Sequence, residues 1–520
     1  MIMFIIMTRP AVAILILGSA LFATSPADAT RRWWSYVTAL AGDGMEGRDT
    51  GSAGYQRAAR YVAQEFEHAG LQPAGENGGY FQSVPLHAVQ LNSATSSVAL
   101  VRKSGTRPLA WLHDITLAVS PELPPQLNAG MIFLGTGPAP PNLDLTGKIL
   151  VRLGAPVGAP PAERPLPAIP AGLLEKMSGT LTIDNFDGPE RRRWPAAYAI
   201  NMALAGATPP PNPRPALFLN PAAAEELFQG SGHTYAELKH VSGTNQPLPW
   251  FEIPATLHAE LQFDTSGVAS DNILATLPGS DPALAGESVV VSAHLDGYGI
   301  GEPIKGDRIY NGAFDDAACV ATLLDLAEQW AGHGKQPGVH LRRSVLFAVV
   351  TGEEKGLLGS RYFVAHPTVP LGRLVADINL DQLRPLFPLN ILTMLALDDS
   401  TLGDTARAIA EPLGIHLQPD PEPERNLLRR SDHFSFIQIG VPSTGFIFGY
   451  RPDSPEQAVY RKWYADRYHS PSDDLKQPWD PQAAAKFNDF FRRLVEAVAN
   501  ADRRPQWKRG SKLAPGAAPN

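Results

Sequence analysis

Between residues 255 and 500 the chain alternates two kinds of apolar pattern. VVVSA at 289–293, SVLFAVV at 344–350 and LVADINL at 374–380 are nearly continuous apolar runs, which predict central strands covered on both faces. Between the first two, Val320, Leu323, Leu324 and Ala327 repeat at helical spacing. Phe487, Phe490, Phe491, Leu494, Val495 and Val498 mark another amphipathic helix near the end. Strands alternating with such helices predict an α/β layer domain, in which sites form beyond the carboxyl ends of the strands.

Upstream the pattern differs. In the segment 55–70, Ala58, Tyr61, Val62 and Phe66 share one helical face and Gly70 can close the helix, while VPLHAVQL and SSVALV predict strands. From about 115 to 250 prolines cluster and the periodic runs shorten. MIFLG at 131–135, KILVRLG at 148–154, TLTIDN at 180–185 and ALFLN at 216–220 predict strands between turns, hence a separate, largely β unit. The expected order is a leader at 1–29, a first part of the α/β domain at 30–114, an insert at 115–250, the main α/β domain at 251–500 and a disordered tail at 501–520.

Composition narrows the partners. A chain of 520 residues with 44% hydrophobic residues folds around more than one core. A net charge of -8 supplies no cationic field for a phosphate backbone, which argues against nucleic acid. The leader combines Arg9, the apolar run AVAILILG at 11–18 and small residues ending at Ala29, the pattern of a signal peptide. Its run falls short of the roughly 20 apolar residues of a membrane span, so no stable membrane insertion is expected. Cys319 is the only cysteine, so no intrachain disulfide forms. Export without disulfides suggests a bacterial periplasm or medium.

The candidate chemistry lies in five short motifs: AHLDGYG at 293–299, YNGAFDDAA at 310–318, TGEEKGLLGS at 351–360, INLDQ at 378–382 and YHSPSDDL at 468–475. His294, the Glu353-Glu354 pair and Asp381 each fall just beyond a predicted strand end, where they can converge. Asp296, two residues after His294, can accept the proton of the ring nitrogen that does not face a metal. Asp315 is the candidate to bridge two cations, with Asp316 capping the following helix or supporting the site. Of Glu353 and Glu354, one can hold a metal while the other takes a proton from water. Asp377 shares a strand with Asp381 but lies farther from its carboxyl end. His469 supplies a second imidazole. One imidazole and two carboxylates per metal, with one carboxylate shared, is a donor set suited to zinc.

Other chemistries lack their signatures. The chain has no G-x-S-x-G elbow, no dinucleotide or Walker glycine motif and no H-E-x-x-H. Cys319 sits among small and apolar helix residues, a packing position.

The five motifs in this order resemble the M28 family of zinc aminopeptidases and glutamate-carboxypeptidase-like peptidases. The resemblance implies a three-layer peptidase domain with a central mixed β-sheet flanked by helices, interrupted by a mostly β protease-associated domain that LTGKILVRLG at 145–154 resembles. It implies two zinc ions per chain, one held by His294, Asp315 and Asp381 and the other by Asp315, Glu354 and His469. It further implies Glu353 as general base and Asp296 as the histidine-orienting acid. RSDHFSF resembles the family segment before the last ligand, which suggests that Asp432 and His433 shape the pocket. The lead-in at 43–86 also looks like that of these enzymes. Asp316, Cys319, Gln382 and Arg384 depart from the family pattern, and Arg384 would attract a carboxylate if it faced the cleft. The implied activity is release of N-terminal residues from peptides. A carboxypeptidase or an N-acyl amidohydrolase uses the same metals, and a mono-zinc glutaminyl cyclase would not need both sets.

Overall fold

The computed structural model describes residues 26–516 except 121, 157–168, 170, 186–198, 209–212, 245 and 332–339. The apolar run at 11–18 and the charged stretch at 187–193 lie outside the described residues. Seven strands matter for the site: β1 (Phe81–Leu91), β2 (Ile200–Leu204), β3 (Phe263–Leu277), β4 (Ser288–His294), β5 (Ser344–Val350), β6 (Leu374–Asn379) and β7 (Ser443–Thr444). They form a mixed sheet in the order β7-β6-β4-β5-β3-β1-β2, and the short strand Gln72–Pro73 pairs with β3. The four strands β7, β6, β4 and β5 run parallel, whereas β3, β1 and β2 join antiparallel.

Helices cover both faces, which explains why β5 and β6 are buried along their whole length. On one face lie α1 (Pro26–Leu40), α2 (Ala53–Ala69), α3 (Ala318–Ala331) and, last in the chain, Pro481–Asn500. They pack with Val289, Val291, Phe347 and Val349 into one core. On the other face α4 (Leu358–Ala365) contributes Phe363 and the short α5 (His433–Gln438) contributes Phe436, against Val290, Leu346 and Ala348. The alternation within β4 and β5 thus feeds two cores from one sheet. Phe487, Phe490, Phe491 and Leu494 are each no more than 1% exposed, worth roughly 1.5–3 kcal/mol apiece on burial. Gly70 closes α2 in the left-handed conformation at φ 87°.

A second eight-stranded sheet has its own core around Leu100, Leu117, Phe133, Val151, Leu217 and Leu257. It takes in strands 97–102, 105–108 and 251–260 as well as those within 115–250, and the segment 200–204 returns to the edge of the first sheet as β2. The two sheets are joined by β1 and β3, which pair from Phe81 with Ile273 to Leu91 with Phe263.

The structure corrects the expectation of a disordered tail over its described part, 501–516. Trp507 bridges to Ser400 and donates its indole N–H to Gly440 at 2.9 Å, Arg504 bonds Glu287, and Lys508 bonds Asp404. Arg504 and Lys508 are spent on these partners, so the segment is ordered against the domain of the first sheet. The leader expected to end at Ala29 overlaps α1, which begins at Pro26. No helix among the described residues is long and apolar enough to cross a membrane.

Candidate metal centre

Parallel register sets the site. His294 ends β4 opposite Val350 of β5, and Ser292 lies opposite Asn379 of β6. The chain beyond Val350 therefore brings Glu353 and Glu354, and the chain beyond Asn379 brings Asp381, to the same edge as His294. Asp315 arrives from the segment before α3, and His469 from the loop after α6 (Pro455–Asp466).

His294 Nε2 lies 3.4 Å from Asp315 Oδ1 and 3.8 Å from Asp381 Oδ1. His469 Nε2 lies 3.5 Å from Asp315 Oδ2 and 3.4 Å from Glu354 Oε1. The two oxygens of Asp315 thus serve two separate donor groups, His294-Asp315-Asp381 and Asp315-Glu354-His469. Donors about 2.1 Å from a tetrahedral zinc stand about 3.4 Å apart, so these spacings fit the ion. The buried atoms His294 Nε2, Asp315 Oδ2 and Asp381 Oδ1 have no hydrogen-bond partner, the condition of donors aimed at a cation. Asp377 is in neither donor group, and its Oδ1 accepts from Ser292 Oγ at 2.7 Å inside the sheet.

The surrounding groups fix these donors. His294 Nδ1 lies 3.1 Å from the main-chain oxygen of Asp296 and 3.7 Å from its Oδ1. The nearer orienting acceptor is therefore backbone, and it leaves Nε2 as the free lone pair. The Asp296 carboxylate instead accepts from the backbone N–H groups of Glu353 and Glu354 at 3.1 and 3.3 Å and from Thr50. Asp316 does not cap α3. Its oxygens accept from His294 N at 3.2 Å and Gln382 N at 3.0 Å, tying two strand-end loops together. The peptide joining Asp315 and Asp316 is cis. Gly312 precedes them at φ 58°, and a side chain there would meet the Asp315 carbonyl oxygen 2.3 Å from its Cβ.

Electrostatics follow from burial and crowding. Burial would raise the Asp315 carboxyl, yet the contacts with His294 and His469 outweigh it and hold the group below the usual aspartate range. Burial lowers the His294 imidazole, but the carboxylates of Asp316, Asp296, Asp315 and Asp381 together push it well above its ordinary value. Burial is also the first cause that raises Glu353, reinforced by Asp381, Glu354 and Asp432 and opposed by His294. Glu354 is raised by burial and by Asp315, against the hydrogen bond from Tyr298 Oη at 2.5 Å.

A cavity of about 920 Å³ opens over this cluster, and Glu353, Asp315, Asp381, His433 and Tyr468 are in its wall. Burial lowers the His433 imidazole to about 4 and pushes Asp432 up to about 7. His433 contacts Asn379, with its Nε2 buried and without a partner. Arg384 corrects the expectation of a cleft-facing cation. It is 1% exposed, and its guanidinium lies 4.5–5.0 Å from the ring centres of Tyr464, Tyr460 and Trp463. Three aromatic side chains of α6 cage it behind the cavity wall. Cys319 is buried, its Sγ accepting from Leu383 N.

Several supporting residues escaped the sequence reading. The buried Arg48 donates to the carbonyls of Leu295, Leu40, Asn311 and Gly312, which clamps the lead-in to the chain on either side of the ligands. The signal was a lone arginine in a glycine-rich stretch, too common to be specific. Asp473 accepts from Phe314 N at 3.0 Å and Asp315 N at 3.1 Å, and so holds Asp315. It stood inside a quoted motif, four residues beyond His469. Tyr468 stacks on His469 at 3.6 Å.

Residues 272–495 match the model of peptidase family M28. The chain is 36% identical over 157 residues to a vacuolar membrane protease of Lachancea thermotolerans, covering 29% of this chain and 14% of that protein. It is 32% identical over 100 residues to a vacuolar membrane protease of Tuber melanosporum, covering 19% and 9%. The matches thus span only a small part of these relatives' length. Among solved structures, a zinc aminopeptidase from Bacillus subtilis superimposes over 93% of this chain and 97% of its own, with a TM-score of 0.55 at 17% identity. That likeness is one of fold. The expectation of a bacterial periplasmic or secreted protein is overturned by the two curated relatives, which are vacuolar membrane proteases of fungi.

Proposed function

From the match of residues 272–495 to peptidase family M28, we propose that the chain is a dinuclear zinc exopeptidase, an aminopeptidase that releases N-terminal residues from peptides. The observation that carries the reading is Asp315 with one oxygen in each of two three-residue donor groups. His294 and Asp381 would complete one zinc site, and Glu354 and His469 the other. Two zinc ions held there would supply an activated water and polarise the scissile carbonyl.

The chain's own residues do the remaining work. Glu353 lies in the cavity wall next to the ligand Glu354, with its main-chain N–H fixed by Asp296. Its carboxyl, raised by burial, is suited to take a proton from the attacking water and deliver it to the leaving nitrogen. Asp296 and Asp316 hold the loops that carry these groups, and Asp473 holds Asp315. Tyr298 fixes Glu354 through its hydroxyl.

Carboxypeptidase action on the same metals is a second reading, favoured by one observation. Among the described residues, every carboxylate in the cavity wall belongs to the ligand set or is Glu353, so no other acid there can receive a substrate ammonium. A panel of free and N-blocked peptides, with zinc content measured alongside, separates the two readings. Glu353→Gln is expected to keep its zinc and lose most hydrolysis of whichever substrates are cleaved. Turnover near the wild-type rate in that variant would remove Glu353 from the mechanism.

A further inference from the structure

The cavity over the ligand cluster contains charges of both signs, but they are not interchangeable. Its acids, Asp315, Glu353, Glu354 and Asp381, are the ligands and the adjoining base, whereas all four lysine or arginine side chains in its wall are arginines: Arg361, Arg425, Arg429 and Arg430. Arg425 pairs with Glu422 at 3.0 Å and lies over the Tyr464 ring at 4.9 Å. Arg361 and Arg429 pair with no carboxylate among the described residues, and Arg430 interacts electrostatically with Glu353. Arg361 reaches the carbonyl of Gly356 at 3.4 Å, and Arg429 lies over the Phe434 ring at 5.4 Å.

Behind this wall the positive charge is only partly cancelled. Glu422 is shared by Arg425 and Arg461, while the guanidinium of Arg384 meets aromatic rings in place of an acid. An unpaired arginine on a convex surface is ordinary, because water solvates it. Several in one concave wall focus a positive potential into the space where a substrate must lie. A guanidinium also presents its donors in a fork that matches a carboxylate.

We propose that this cavity selects peptides carrying a carboxylate next to the scissile bond, with Arg361 and Arg429 as specificity-determining residues. The inference rests on the peptidase reading above. The carboxylate can come from an acidic side chain or from a free C-terminus, and a basic residue at that place meets repulsion.

The test uses the full chain with zinc and four leucyl peptides: leucyl-glutamine amide, leucyl-glutamine, leucyl-glutamate amide and leucyl-lysine amide. Hydrolysis is followed as kcat/KM, and binding of the same peptides by calorimetry. A carboxylate held by a guanidinium is expected to raise kcat/KM about tenfold over leucyl-glutamine amide, with leucyl-lysine amide the poorest. A preference for leucyl-glutamate amide identifies the side chain as the recognised group, and a preference for leucyl-glutamine identifies the terminus. In the Arg361→Ala/Arg429→Ala double variant the preference collapses, while leucyl-glutamine amide is cleaved as before. Equal kcat/KM for all four peptides, or a preference that survives in the double variant, overturns the proposal and leaves the peptidase reading standing. Carboxylate-dependent binding without hydrolysis, lost in the double variant, supports the proposal and removes the peptidase reading. With neither hydrolysis nor binding, both fall.

Discussion

The ligand cluster and the arginine wall border one cavity and are built on opposite principles. In the cluster, the supporting acids Asp296, Asp316 and Asp473 accept backbone N–H groups, so the charges are held by main chain from several strand ends. In the wall, Arg425 and Arg429 rest on the rings of Tyr464 and Phe434, and Glu422 is the carboxylate shared by Arg425 and Arg461. Backbone donors fix atoms to within the tolerance that metal ligation demands, whereas stacking holds a charge in place and leaves its donors available. The ion binding proposed for the one and the recognition of a variable group proposed for the other call for those different degrees of constraint.

The contrast is tested most severely at its centre. Because Asp315 belongs to both donor groups, Asp315→Ala is expected to lower zinc to below one ion per chain by elemental analysis. Activity should fall on the order of a thousandfold, about 4 kcal/mol of barrier. Retention of two ions would break the shared-ligand geometry. Arg48→Met addresses the scaffold beneath the cluster. It leaves four carbonyls without their buried donor, and urea unfolding is expected to show a loss on the order of 4 kcal/mol. A change below 1 kcal/mol, on the order of one ordinary hydrogen bond, would mean that the clamp is dispensable.

The smallest effect is expected at the wall. Burial raises the Glu422 carboxyl, but Arg461 and Arg425 outweigh it and hold it below the ordinary glutamate range. A depressed folded pKa contributes stability that is present above the unfolded value, near about 4.3, and is lost as pH falls through the folded value. Glu422→Gln should therefore cost about 2 kcal/mol at neutral pH, and the gap to wild type should close on acidification below about pH 4. A gap that stays constant down to pH 3 would show that shape, and not charge, is what Glu422 provides.

The cluster was legible in the sequence for a physical reason. Continuous apolar runs identify β4, β5 and β6, strands of this kind run parallel, and parallel strands deliver the residues after their ends to one edge. His294, Glu353, Glu354 and Asp381 follow from that rule alone. Asp315 and His469 come from loops whose path the rule does not describe, so Asp315 is ambiguous without its neighbours and His469 depends most on the family resemblance. Arg384 shows the limit. Its position three residues after Asp381 suggests the cleft, but Tyr460, Trp463 and Tyr464 come from α6, more than seventy residues later, and no local pattern reveals that cage. Arg48 was hidden similarly, since its four acceptors lie in three separate segments. The tail at 501–516 carries the composition of a solvated arm, and only long-range partners such as Glu287 and Gly440 order it.

The pairing of Leu91 with Phe263 has a consequence for how the molecule can be divided. At that register two antiparallel strands stand side by side, and everything from 92 to 262 is, in chain terms, the loop of one very long hairpin. A turn of a few residues such as Asn-Gly could join the same two ends, giving up the edge strand β2 but no ligand of the cluster. The second lobe is thus an appendage that the half with the donor cluster carries at a single hairpin end.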